Sequence, residues 1–349
     1  MNPMGPELVL WTDQPHVRLA RAVVDRLGSA VHLIGVGSPD GSADTLAADT
    51  QLRLQPHREL RTLLIDRPAR FLLSLARPPL LPIELRTAQR EGTRILTLEP
   101  PFHNASDLAA AAASDPERAQ VPRFLDAPGF VASAAPFDLC GVPLQAWISS
   151  RGRPEHGSLF ARCFDAWATL LRFAEMPELV WGARIDVLPP SSDGNRSLRR
   201  VEPPASPTGL RGRMGVMARC PDGSTLGLDL ADDAPTTRRR LQILGPRGEL
   251  VVTDRSYRLT LPDGGGRDNQ PHPASTTASA GLQEAQEAEA ETTFPDLIAG
   301  QVLRMAEQNQ QRERLDWVRQ TLACVSACLL SGRTQEPESP RRLLELHGY

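Results

Sequence analysis

The chain has 349 residues, enough for about two domains of roughly 150 residues each, and its 40% hydrophobic and 23% charged content is that of a globular protein. A net charge of −3, a pI near 6.2 and only 5% aromatic residues argue against a nucleic-acid surface, an anionic-membrane surface or a stacking platform for single strands. All 39 basic residues are arginine and none is lysine; arginine stays protonated, so any mechanism that needs a titrating ammonium or a Schiff base is excluded.

Five cysteines without a CxxC pair read as reduced core residues of a cytoplasmic protein. Cys324 and Cys328 lie one helical turn apart but have no histidine beside them, so core packing is favoured over a metal and no metal site is expected. The N-terminus lacks a basic region followed by an apolar run of signal-peptide length, and no stretch reaches the roughly 20 apolar residues of a membrane span.

In chain order, Glu7–Trp11 reads as a strand, and Thr12-Asp13-Gln14-Pro15 opens a helix to Leu27 with Thr12 or Asp13 as N-cap. Gly28 ends that helix, and Val31–Gly37 is the next strand, which completes a β-α-β unit. A dinucleotide would need a glycine-rich turn after the first strand, yet no glycine lies between Gly5 and Gly28, and Asp13 places a negative charge there. Helix, strand and helix follow at Glu59–Asp66, Phe71–Leu75 and Ile83–Glu91, and Ile95–Leu98 is a strand that stops on Glu99 before Pro100 and Pro101. Asp107–Leu125 reads as helical with a break near Pro116, after which the chain crosses to a second domain.

That domain starts with a strand at Val142–Ser149 and an apolar helix carrying Phe160, Phe164, Trp167, Leu170 and Leu171 at helical spacing. The strand Leu179–Val187 and a loop over Ser191–Pro207 come next. Strands at Arg213–Cys220, Thr225–Leu230, Arg238–Leu244, Glu249–Thr253 and Tyr257–Leu261, joined by tight turns, read as one meandering antiparallel sheet. The run Arg238–Arg240 reads as a solvated strand edge. Asp263–Thr293 is low-complexity and reads as a mobile insertion with a transient helix over Gln283–Glu291. Helices at Phe294–Gln308 and Arg312–Ser331 and a short final helix close the chain.

Several of these segments, taken together, resemble the glucose–fructose oxidoreductase/inositol dehydrogenase/MocA (Gfo/Idh/MocA) family. The stretch EGTRILTLEPP is similar to the family strand that ends in Glu-Lys-Pro; HGSLFARCFDAWATLL is similar to its Asp-x-x-x-His-x-x-Asp helix; PDGSTLGLDL with RRRLQILGPRGELVVTD, and the LSGRT helix stop, match its later sheet and C-terminus. The resemblance implies a Rossmann-like doubly wound parallel sheet over about 1–125 and, over 126–349, an open and mostly antiparallel sheet with helices on one face. It also implies NAD(P)-dependent hydride transfer on a sugar or polyol, and dimerisation through the open sheet. The site departs from the family. Its catalytic lysine falls on Pro100, its histidine on Arg162, its earlier acid on Ser158 and its ribose-binding acid on Ser38; only the second acid is kept, as Asp165.

Candidate catalytic residues are therefore Glu99, His103 and Asp165, and candidate cofactor contacts are Thr12, Asp13, Gln14, Ser38 and Glu99. Asp165 either lines a cleft or caps a buried arginine, and Arg77 and Arg86 read as surface residues, with an anionic ligand as the alternative. Three functions follow: a catalytically silent binding or interaction subunit that holds no cofactor and forms a homodimer or a heterodimer with a paralogue; a divergent NAD(P)-dependent oxidoreductase; or a protein that binds a sugar-like ligand without redox turnover.

Overall fold

A computed structural model describes residues 5–49, 54–77, 80–100, 102–103, 118–187, 198–203, 207–269, 281–307 and 315–346. The chain forms two compact units: unit 1 is 1–102, 106–122 and 292–313, and unit 2 is 103–105, 123–291 and 314–349.

Unit 1 is built on five parallel strands, β1 (Glu7–Trp11), β2 (His32–Gly37), β3 (Phe71–Ser74), β4 (Arg94–Thr97) and β5 (Arg118–Gln120), in the order β2-β1-β3-β4-β5. Among the described residues, helices α1 (Val17–Leu27), α2 (Ala43–Asp49), α3 (Leu60–Asp66) and α4 (Pro82–Arg90) lie between or after these strands. A sheet covered on both faces must present apolar side chains both ways, and β1 does so. Leu8 and Leu10 enter one core with Leu19 and Val23 of α1, whereas Val9 and Trp11 enter a second with Leu60, Leu63 and Leu64 of α3. The first core is closed by Phe294, Ile298 and Val302, so the later part of the long helix near the C-terminus belongs to this unit.

Among the described residues, unit 2 holds a nine-stranded sheet in the order β14-β13-β12-β11-β6-β10-β9-β7-β8. Its strands are β6 (Gln145–Arg151), β7 (Leu179–Val187), β8 (Leu198–Val201), β9 (Arg213–Arg219), β10 (Thr225–Ala231), β11 (Arg238–Gly245), β12 (Gly248–Thr253), β13 (Tyr257–Thr260) and β14 (Gly266–Asp268). The helices are α5 (Pro128–Ala132), α6 (Ala134–Cys140), α7 (Leu159–Leu170), α8 (Gly281–Glu307, shared with unit 1), α9 (Leu315–Thr334) and α10 (Pro340–Leu346). Val180, Val216, Leu228, Ile148 and Leu241 are buried on the face that takes α7 and α9.

Four local expectations change. Residues 118–120 form β5, not helix, because pairing with β4 decides that short segment; most of the expected helix before it lies outside the described residues. Part of the expected 191–207 loop is β8, paired with β7. The sheet is not a simple meander: β6 inserts between β10 and β11 and runs parallel to β10. Within the expected mobile insertion, Gly266–Asp268 is a strand and α8 already begins at Gly281.

Candidate functional site

In unit 1 the strand order diverges around β1 and β3, and ligands of such sheets bind beyond the carboxyl ends of the strands at that point. The turn there is Thr12-Asp13 followed by the short 3-10 turn Gln14–His16. Thr12 is buried, and its amide donates to Gly37 O at 3.0 Å. Neither Thr12 nor Asp13 caps the helix through its side chain. Instead the Asp13 carboxylate pairs with His16 Nδ1 through Oδ1 and accepts the Arg77 amide through Oδ2 at 3.0 Å. Burial works against its charge, but the hydrogen bonds from His16 and Arg77 prevail and hold its pKa below the ordinary value.

The Gln14 amide donates to Asp40 Oδ2 at 2.7 Å, while Asp40 Oδ1 accepts the Ser42 amide at 3.0 Å. Partial desolvation opposes ionisation of Asp40, yet these donors lower its pKa to about 2. Ser38 is buried and spends its hydroxyl on the Ala43 amide at 2.9 Å, at the head of α2. Glu99 follows β4, where its carbonyl accepts Thr97 Oγ1 at 2.6 Å.

A dinucleotide needs free amides at this turn for its pyrophosphate. Gln14 N–H is taken by Asp40, Pro15 has none, and His16 N–H donates to Asp13 O at 3.0 Å. With two carboxylates already in place, the residues of the turn do not fit a pyrophosphate.

In unit 2 the resemblance places the catalytic histidine at Arg162 of α7. That guanidinium is buried and donates to Arg153 O at 3.0 Å and His156 O at 3.3 Å. His156 Nδ1 meets Thr237 Oγ1 at 2.6 Å. His103 stacks on Phe160, with ring centroids 5.7 Å apart. Ser158 caps α7 by accepting the Ala161 amide at 3.1 Å.

Asp165 lies buried beneath these groups. Its Oδ1 accepts the Phe124 amide at 2.9 Å and its Oδ2 accepts from Arg239 Nη1 at 3.0 Å. Arg239 Nε also donates to Asp254 Oδ1 at 2.8 Å, and the guanidinium lies 5.3 Å from the centre of the Phe124 ring. Burial pulls the Arg239 pKa down, but Asp254 and Asp165 outweigh it and raise it above the ordinary value. Asp254 is held in place because Gly129 donates to its carbonyl at 3.0 Å. A Cβ on Gly129 would stand 2.3 Å from Thr253 O, so that approach needs glycine.

The reading of Arg238–Arg240 as a solvated edge is therefore corrected. β11 is an internal strand, and its alternation turns Arg239 inward while its two neighbours stay exposed. Arg239, Asp254, His16 and Asp40 were not among the candidates. Alternation along the strand was the available signal for Arg239; no local signal marks the other three.

All five cysteines are free and buried. Among the described residues no cluster of three or more His, Cys, Asp or Glu has metal-binding geometry, and no helix is long and apolar enough to cross a membrane.

No family sequence profile matches the chain, and no curated protein matches it in sequence. Solved structures do. An oxidoreductase from Agrobacterium radiobacter, in complex with NAD+, L-tartaric acid and magnesium, superposes with a TM-score of 0.68 over 97% of this chain and 99% of its own, at 12% identity. The WlbA dehydrogenase from Bordetella pertussis, in complex with NADH and UDP-GlcNAcA, gives 0.66 over 97% and 99% at 14% identity. GenD2 from gentamicin A biosynthesis, in complex with NAD, gives 0.65 over 97% of each chain at 14% identity. The expectation of a protein without a cofactor is overturned at the level of the fold, since proteins that share it over nearly their whole length hold NAD+ or NADH. The two sheets, their order along the chain and these superpositions give the chain the fold of the Gfo/Idh/MocA-type oxidoreductases, in a divergent sequence.

Proposed function

We propose that the chain is a binding or interaction subunit built on this oxidoreductase fold, that it pairs with a second copy of itself through the outer face of its large sheet, and that it no longer passes hydride. The observation that carries the reading is that face. Across neighbouring strands the register aligns Gln242, Trp147, Gly227, Met217 and Trp181 in one row. Trp181 is 40% exposed, Met217 44% and Leu244 of the same face 47%. Gly227 lets the Trp147 ring lie flat across β10, because a Cβ there would stand 2.0 Å from that ring.

Aromatic and methionine side chains are enriched in interface cores. The same face carries both signs of charge, with Arg151 Nε donating to Asp229 Oδ2 at 3.0 Å beside the exposed Arg240. A two-fold interface brings a surface against itself, so mixed charge around an apolar row is self-complementary, whereas a single sign would repel. The loss of hydride transfer is supported by Pro100 at the lysine position and by Arg162, at the histidine position, engaged on two backbone carbonyls.

Light scattering on the purified chain tests the pairing. A dimer is expected at micromolar concentration; a monomer would refute it, and a dimer formed only with a related chain would replace self-pairing by pairing with a paralogue. A second reading, a divergent NAD(P)-dependent oxidoreductase acting on a sugar or polyol, is favoured by the NAD+ and NADH held by proteins of the same fold. The two readings part on whether reduced nicotinamide forms.

A further inference from the structure

The fold is one that holds nicotinamide nucleotides in other proteins, yet in the turn after β1 the Gln14 amide is already taken by Asp40 and the His16 amide by Asp13 O. We infer that Asp40 is a built-in competitor for phosphate: its carboxylate bridges the Gln14 and Ser42 amides, in the turns that follow β1 and β2, and a nucleotide must displace it before its phosphates reach the first of them.

The geometry is that of an anion already seated. One oxygen accepts the Gln14 amide at 2.7 Å, at the start of the 3-10 turn Gln14–His16; the other accepts the Ser42 amide at 3.0 Å, just before α2. The bridging residue comes from the chain itself, 26 positions from Gln14, so its effective concentration is fixed by the fold and does not dilute.

Asp40 stands on an exposed turn after β2, where a rival can move it aside. Asp13 cannot be moved so simply, because both of its oxygens are engaged inside the unit, on His16 and on the Arg77 amide. His16 Nε2 is buried and finds no hydrogen-bond partner among the described residues, so the surroundings of the bridge keep polar capacity that the chain leaves unused. The strongly acidic carboxyl of Asp40 stays charged throughout the working range, so the competition is not relieved near neutral pH.

The inference goes beyond the interaction reading and depends on neither dimerisation nor hydride transfer. ADP, which carries a pyrophosphate and no nicotinamide, separates them. Calorimetric titration of the full chain with ADP is expected to give about tenfold tighter binding in Asp40→Ala than in the natural chain, the effect of freeing one charge-assisted hydrogen bond and removing one like charge. Asp40→Asn, which keeps the shape and loses the charge, is expected to show a smaller gain and carries the test if the alanine variant unfolds. Asp233→Ala removes an exposed acid paired with Arg213 in unit 2 and is expected to change nothing. No gain in either Asp40 variant, or an equal gain in Asp233→Ala, would overturn the inference. Weaker binding in Asp40→Ala would also overturn it and would make Asp40 a nucleotide contact.

Discussion

Arg239→Met is expected to destabilise unit 2 by about 3–5 kcal/mol, the usual cost of removing one partner from a buried ion network. The methionine fills much of the volume, so the loss is electrostatic. Asp165 and Asp254 would both remain in the interior with no cation between them, and the contact with the Phe124 ring would go too. Lysine is a poor substitute, since one ammonium cannot span two carboxylates as the planar fork does. The pH dependence gives the sign. Burial already raises the Asp165 pKa, and in the variant Arg239 no longer opposes it, so stability is kept at acid pH and lost as pH rises through the folded value. The deficit measured by urea unfolding should therefore be larger at pH 7 than at pH 5. A deficit below about 1 kcal/mol at pH 7 would show that the cluster is open to solvent.

Met217→Asp is expected to convert the dimer to a monomer, with dissociation raised at least about a hundredfold, because truncation at a central interface position costs about 2 kcal/mol or more and a buried unpaired charge adds to it. Met217 stands between Gly227 and Trp181 in the outer row, so the new carboxylate would meet its own two-fold copy or the copy's apolar row. Its backbone lies in an internal strand and its side chain is 44% exposed, so the folded monomer should be little disturbed. Sedimentation velocity on both proteins, with thermal unfolding as the control, decides it. A variant that still dimerises would move the interface to another surface.

The strands that are legible in the sequence are those whose apolar runs end in clear turn residues. Leu179–Val187 is the same in sequence and structure, and the 221–224 and 245–248 turns set the neighbouring strands to within a residue or two. What a local reading misses depends on distant partners. β5 exists through its pairing with β4, and β6 separates β10 from β11 although no feature near Gln145 announces it.

The site divides in the same way. The missing glycines, the proline at the lysine position and the arginine at the histidine position are all visible as residues. What occupies the vacated chemistry is not, because Gln14 and Asp40 meet across 26 residues and Asp165 and Arg239 across 74. Asp165 illustrates the limit: its identity matches the family acid, and only the packing shows its carboxylate committed to Arg239 and to the Phe124 amide.

Arg162 and Asp165, which stand where the resemblance implies the family's histidine and acid, are committed to structure. The most direct test of the loss of hydride transfer is the appearance of reduced nicotinamide when the full chain is mixed with NAD+ or NADP+ and a panel of sugars, polyols and sugar acids. The account predicts no signal above that of buffer at any protein concentration; substrate-dependent formation that rises in proportion to the protein would contradict it.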